Sequence, residues 1–323
     1  MRRLLILRLL GLPLFLWVVW SLTFAAAELA PGDPGALYDS PAVAPASRER
    51  LRHVHGLDAS PSVRYARQLR AAAIGDFGLS IAQGRPALGV VAEAAGPTLL
   101  LTISALGIQL LLGTALGLVA AARHGRLSDS AIAVGLVAVA ALPSFWVGIE
   151  LILLFALTLP WLPPAQMRSL GAPGGWAGVF DLLRHMVLPV ATLLCAGLAG
   201  PVRHARAGLL DALASPFMHA ARSRGIPETR LLRRHALRQA AVPLAQIFGL
   251  SFPFLLSGAF VVEVVFSWPG LGRVAWEAVM ARDFPVLQVV TLLSALLVFF
   301  GSLLADLLAM TADGRLRPPG ATR

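Results

Sequence analysis

Long apolar runs, separated by short polar stretches, set the pattern of this chain. Six are long enough, at about 17 to 25 residues, to cross a hydrocarbon core of about 30 Å as helices. They run roughly from Leu9 to Ala27, Thr98 to Ala122, Ala131 to Leu159, Met186 to Val202, Val242 to Phe266 and Val286 to Met310. The pattern predicts six membrane-spanning helices. Arg2, Arg3 and Arg8 ahead of the first run, and Ala25, Ala26 and Ala27 at its end, imitate a secretory signal. The length of the run and the five that follow favour a retained helix.

The polar intervals set an orientation. With the N-terminus inside, sixteen arginines fall in inner segments and eleven outside. Seven of those eleven lie in one segment too long for the positive-inside rule to weigh, so N-in and C-in is the expected topology. The chain then divides into a first transmembrane helix over 1–27, an extracytoplasmic segment over 28–96, a five-helix core over 97–311 and a cytoplasmic tail over 312–323. The outer segment carries the turn-rich Ala30-Pro31-Gly32-Asp33-Pro34 and an expected amphipathic helix from Ser47 to His55, and is expected to cap the outer mouth. Arg123 to Ser130 is a short inner turn, Pro160 to His185 an outer loop with interfacial Trp161 and Trp176, and 203–241 a long inner loop.

Composition agrees with lipid as the solvent. Hydrophobic residues make up 57% of the 323 positions and charged residues only 14%, about half the soluble norm of roughly 25%. The net charge is +10, and all 27 basic residues are arginine. Without lysine the chain holds neither a Gly-Lys-Ser/Thr phosphate loop nor a Schiff-base amine. The single Cys195 excludes a disulfide scaffold. The arginines cluster between apolar runs, which membrane topology explains better than nucleic-acid binding.

The long inner loop is the most informative stretch. Ser215-Pro216 is a helix-start pair, with a hydroxyl to cap free amides, and Gly225 suits the left-handed residue that ends a helix. A helix over Pro216 to Arg224 follows, with Phe217, Ala220 and Ala221 on one small apolar face. A second helix is expected from Pro227, bearing Arg230, Arg233, Arg234, His235 and Arg238. Two short helices bent at a glycine, alanines outward and arginines around them, suit a groove on another protein. The same stretch also suits a basic loop held against anionic lipid.

His219-Ala220-Ala221-x-x-x-Gly225, with Arg233-Arg234-His235-Ala236-Leu237-Arg238 and Val242-Pro243, resembles the EAA loop of ATP-binding cassette importer permeases in its peptide/nickel branch. The resemblance covers nearly the whole chain. It runs through Ala30-Pro31-Gly32-Asp33-Pro34, Gly75-Asp76-Phe77-Gly78-Leu79-Ser80, Leu142-Pro143-Ser144-Phe145-Trp146, Val262-Glu263-Val264-Val265-Phe266, Pro269-Gly270-Leu271-Gly272-Arg273 and Ala281-Arg282-Asp283-Phe284-Pro285. In that order these motifs look like the B-type subunit of a dipeptide/oligopeptide permease.

The resemblance implies an all-α type I importer transmembrane domain in the bacterial inner membrane, without catalysis of its own. Its expected partners are a second, C-type permease, two cytoplasmic ATPases that bind ATP and Mg, an extracytoplasmic solute-binding protein and membrane lipid. The implied solutes are dipeptides, oligopeptides, glutathione-like compounds or nickel chelates. Carried onto this sequence, Ala220, Ala221 and Gly225 take the ATPase-coupling positions, with Phe217, Arg224 and Arg234 beside them. His219 replaces the acid of the general motif, Gln239 stands where Asn is common and Glu150 where an apolar residue is common.

Charged groups within spans are expensive and point to function. Glu150 is the deepest in its span and suits a pathway or inter-subunit contact; Glu263 and Asp306 lie near span ends, and Glu263 is expected to reach the interface or pair with Arg273. Stripes of small and polar residues mark Thr98, Thr102, Gln109, Gly113 and Gly117 on the second span and Gln246, Gly249, Pro253 and Ser257 on the fifth. Such stripes serve tight helix contact or, alternatively, line a solute pathway; on the second reading Gln109, Glu150, Gln246 and Ser257 are the lining residues. His53 and His55 read as a solvated helix face rather than metal ligands. No hydrolase or metalloprotease signature occurs. An ion-coupled secondary transporter is the alternative, and it calls for paired ionisable groups at mid-membrane that only Glu150 approaches.

Overall fold

A computed structural model describes residues 2–29, 59–227 and 259–312. All regular structure among them is helical, apart from one isolated antiparallel bridge between Leu79 and Pro86. The helices are α1 (Arg2–Leu29), α2 (Pro61–Ala73), α3 (Ala87–Ala122), α4 (Leu127–Ala140), α5 (Ser144–Ile152), α6 (Gly175–Gly197), α7 (Ala199–Leu213), α8 (Pro216–Ser223), α9 (Leu271–Met280) and α10 (Phe284–Ala312). Residues 259–265 are helical as well.

Four helices among the described residues are long and apolar enough to cross a membrane, within α1, α3, α6 and α10. The third expected span is not one straight helix. The α4 axis and the continuation of α5 through Thr158 are bent by 93°. The break falls at Leu142-Pro143-Ser144, where proline supplies no N–H and its ring clashes with the preceding turn. Helical bonding resumes with the Val147 N–H donating to the Pro143 carbonyl at 3.1 Å. Beyond Ile152 the helix widens into π-type turns through Leu153–Thr158. The fifth expected span lies mostly outside the described residues, as do the helix expected at Ser47 to His55 and the His53/His55 pair.

The chain forms two compact units. The first comprises Met1–Leu5, Leu99–Trp268 and Val298–Arg323. Its centre is the seam of α3 against α6 and α7. A Cβ placed on Gly113 would lie 2.6 Å from the Pro201 Cβ, and one on Gly117 would lie 2.6 Å from the Ala205 Cβ and 3.1 Å from the Val202 carbonyl. Only glycine permits that approach, the small-residue contact by which helices associate in lipid. Gly148 of α5 meets Phe266 in the same way, its added Cβ falling 3.2 Å from the ring, and the Gln166 N–H donates to the Phe266 carbonyl at 2.7 Å.

The second unit comprises Ile6–Thr98 and Pro269–Leu297. Ala87, Val91 and Ala94 of α3, Leu271 and Ala278 of α9, and Val286, Val289 and Val290 of α10 form its core. Two motifs distant in sequence meet here at a buried carboxylate. Asp283 accepts a hydrogen bond from the Ser80 hydroxyl and another from the Ala82 N–H at 3.1 Å, tying the loop after Gly75–Ser80 to the start of α10. The Leu271 N–H donates to the Thr98 hydroxyl at 2.7 Å, and α2 is joined to the end of α1 by Arg64–Glu28 and by Tyr65 with Ser21.

Candidate functional site

The stretch expected to couple to a partner forms a bent elbow. Helix α8 starts at Pro216, as the Ser-Pro pair predicts, but the expected hydroxyl cap is not made. The Ser215 Oγ is buried without a hydrogen-bond partner among the described residues, and the Met218 N–H instead donates to the Ser215 carbonyl at 3.0 Å. At the other end Gly225 adopts φ +75° and the Ile226 N–H reaches back to the Ala221 carbonyl at 3.3 Å. That is the six-to-one bond of a Schellman turn, and Ile226 adds its usual apolar contact by packing on the cluster that contains Ala221.

Helix periodicity then divides the predicted apolar face. Met218 and Ala221 point inward and are 0% and 5% exposed, packed with Ala121 of α3 and Leu209 and Ala212 of α7. Ala220 faces outward with Arg224 and Gly225. Ala220 and Ala221 therefore do not share one exposed patch: Ala221 anchors the elbow, and Ala220 belongs to its outer surface. Arg234 lies outside the described residues, as do Gln246 and Ser257.

Behind the elbow a charged clasp joins α7 to the first turn of α4. The Arg206 Nε donates to Asp129 Oδ1 at 2.7 Å and its Nη2 to Oδ2 at 2.7 Å. The Gly125 N–H adds a bond to the same carboxylate at 3.2 Å. The His124 Nδ1 lies 2.9 Å from the Arg206 Nη2 and, with that donor opposite it, accepts. Asp129 precedes the apolar run that begins at Ala131. Hydrogen bonding from Arg206 holds its carboxyl well below the usual range, against the opposing effect of burial. The pair is thus charged throughout the physiological range.

Nothing in the sequence pattern singled out this clasp. Its two members are 77 positions apart, and the one available signal was a lone acid in an arginine-rich turn.

The candidate lining residues separate. Gln109 is 1% exposed, and its amide donates to the Leu193 carbonyl at 3.0 Å across the α3–α6 seam. A Cβ on Gly197 would lie 2.3 Å from that amide nitrogen, so glycine makes room for the bond. In this structure the Gln109 amide thus serves the seam within its own chain. Glu150 is the opposite case: it is exposed and its side chain makes no hydrogen bond or ion pair among the described residues. Glu263, expected to reach the interface or to pair with Arg273, is fully buried. No three His, Cys, Asp or Glu side chains among the described residues are grouped as metal ligands.

Known proteins carry the same pattern. A family model described as the binding-protein-dependent transport system inner membrane component matches residues 113–318. The oligopeptide transport system permease protein AppB of Bacillus subtilis (strain 168) is 34% identical over 309 residues, covering 95% of this chain and 96% of AppB. The glutathione transport system permease protein GsiC of Escherichia coli (strain K12) is 36% identical over 310 residues, covering 96% of this chain and 97% of GsiC. In fold, a chain of the inward-facing MetNI methionine ABC transporter superposes with a TM-score of 0.53 at 13% identity, covering 69% of this chain and 96% of its own length. The chain belongs to the family of binding-protein-dependent transport system inner membrane components.

Proposed function

We propose that this chain is one of two permease subunits of an ATP-driven importer for short peptides or a related solute, with six spans, both termini inside, and its elbow docked on a cytoplasmic ATPase. The observation that carries this reading is the construction of α8. Met218 and Ala221 fasten it to α3 and α7, while Ala220, Arg224 and Gly225 are left exposed on its outer side. Small side chains allow close approach of a partner surface, and Arg224 pairs with acids at its rim. The names of AppB and GsiC support the peptide class.

In this mechanism the chain transmits a stroke that it does not generate. ATP and Mg bind on the partner ATPases. When those subunits close, α8 is displaced, and the ends of α3 and α7 follow because Met218 and Ala221 bind all three into one apolar cluster. The Arg206–Asp129 clasp carries the displacement on to the Arg123–Ser130 turn and α4. A transducer of this kind needs two states that the partner binds unequally. The broken helix pair α4–α5, bent at Pro143, is the segment within the first unit best suited to change shape. Glu150 lies just beyond that bend, and a carboxylate at membrane depth needs a polar neighbour; the second permease or the solute pathway supplies it. Nothing among the described residues favours the ion-coupled alternative.

The test is a pair of substitutions on adjacent alanines. Ala220→Asp places charge on the outer face: the chain inserts and melts as wild type in detergent, but co-purification of the ATPases and uptake of a labelled dipeptide are lost. Ala221→Asp buries an unpaired carboxylate, which costs several kcal/mol, and lowers folded yield before docking is reached. Wild-type uptake by Ala220→Asp overturns the docking assignment.

A further inference from the structure

We propose that a cavity in the second unit is a subsite for a short zwitterionic peptide, the free amino end held at Asp76 and the free carboxylate at Arg67. The cavity measures about 430 Å³, near the small end of the roughly 300 to 1,000 Å³ typical of ligand sites. That volume suits two or three residues. The inference rests on the import reading above and deepens it by naming the end groups recognised.

Three pairs of side chains line the cavity, and each pair does different chemistry. Arg67 of α2 and Asp76 of the following loop bring opposite charges to one space. Neither is neutralised among the described residues. Arg67 makes no hydrogen bond or ion pair among the described residues, whereas Arg64, one turn earlier on α2, is paired with Glu28. Asp76 receives only the Gly78 N–H, at 3.0 Å on Oδ1, which leaves its second oxygen open. An anion alone is repelled by Asp76 and a cation alone by Arg67. A molecule with both charges gains at both ends, by charge-assisted hydrogen bonds stronger than neutral ones.

Between the charges the lining is amide and aromatic. Gln288 Nε2 lies 3.4 Å from Gln68 Oε1, a long contact that leaves amide donors and acceptors for a peptide bond. Trp20 and Phe77 form the apolar part, with ring centroids 6.2 Å apart and planes at 49°, a surface for one side chain. Trp20 is 3% exposed and its indole N–H, a buried donor, has no hydrogen-bond partner among the described residues. The amide pair offers a peptide bond partners that a single amino acid does not use.

The experiment uses the assembled transporter in lipid nanodiscs and three probes: alanyl-phenylalanine, its N-acetylated form and its C-terminal amide. Calorimetric titration is expected to give saturable binding of the free dipeptide, with each blocked form about tenfold weaker or more. Arg67→Ala is expected to weaken the free dipeptide and to abolish discrimination against the amide, while discrimination against the acetylated form persists. Asp76→Asn, which keeps the acceptor for Gly78, is expected to do the converse. The double dependence separates recognition from a general loss of structure, because a misfolded site loses both discriminations together. Equal binding of all three probes, no saturable binding, or variants that keep both discriminations overturn the proposal. Uptake of the free dipeptide by cells lacking this chain reports on the import reading separately: unchanged uptake sinks that reading whatever the titrations show, and lost uptake with unselective titration sinks the subsite alone.

Discussion

At the elbow, Met218 and Ala221 are held among Ala121, Leu209 and Ala212 by apolar contact, whereas at the start of α10 one buried carboxylate, Asp283, takes hydrogen bonds from Ser80 and Ala82. Both regions fasten a segment between helices, and the forces differ in kind. Apolar contact is non-directional, so the elbow tolerates small rotations while remaining attached to α3 and α7. Hydrogen bonds to one carboxylate specify angle and distance, so the loop over residues 75–86 is locked in register. The first suits an element that moves with a partner, and the second suits a wall that keeps its shape.

The glycine seam behind the elbow gives the harshest test of that contrast. Gly117→Leu drives side-chain atoms into Ala205 and the Val202 carbonyl, and overpacking with backbone displacement is expected to cost more than about 3 kcal/mol. Folded yield and thermal unfolding in detergent measure it. Gly107→Leu on the same helix meets nothing within 4 Å and is expected to leave both unchanged. Equal damage from the two substitutions breaks the assignment of α3 and α7 as a rigid support.

Asp283→Ala comes next in size. It removes the acceptor of the buried Ser80 hydroxyl, whose oxygen still accepts from the Gln83 N–H, and of the Ala82 N–H, and one unsatisfied buried donor of this kind costs about 2 kcal/mol. Melting falls, and proteolysis in the 75–86 loop rises. ATPase co-purification stays at the wild-type level, since the elbow is fastened independently. Loss of docking in this variant removes the distinction between a moving region and a fixed one.

Much of this was legible in the residues. Ser215-Pro216 and Gly225 located α8 because proline and left-handed glycine act locally, through one or two dihedral angles. The Gln109-Gly113-Gly117 stripe signalled close helix contact for the same reason: small residues at helical spacing imply a neighbour. Which face of α8 turns inward was not legible. Ala220 and Ala221 are identical side chains one position apart, and the choice between them is made by Leu209 and Ala212 on another helix. The third span misled for a related reason, since apolarity continues across Leu142-Pro143 while the backbone does not. Asp129 and Arg206 had no local partner to betray them, and their pairing exists only once α7 has returned alongside α4.

The clasp offers a gentler perturbation. Arg206→Ala leaves the Asp129 carboxylate facing only the Gly125 N–H and His124, and ATPase activity is expected to proceed with less transport per ATP. Exchanging the charges, with Asp129→Arg and Arg206→Asp together, is expected to restore part of the coupling. Because the folded carboxyl titrates below the ordinary range, its contribution is fully present above the unfolded value of about 4. It is lost only as pH falls towards the depressed folded value. Transport per ATP is therefore flat from about pH 5 to 8 as far as this pair is concerned. A midpoint inside that window moves the switch to another group.

The smallest effect separates seam from pathway. Gln109→Leu removes the bond to the Leu193 carbonyl, and interhelical hydrogen bonds in lipid average about 0.6 kcal/mol. A slight fall in melting temperature is expected, with dipeptide selectivity unaltered, because the amide is used up inside its own chain. Glu150→Gln is the matched substitution on an exposed carboxylate with no partner among the described residues. It is expected to leave stability alone and to change either association with the second permease or the rate of uptake. If Gln109→Leu alters selectivity while Glu150→Gln is silent, the second-span stripe faces the solute after all. The Leu193 bond then belongs to only one of the transporter's states.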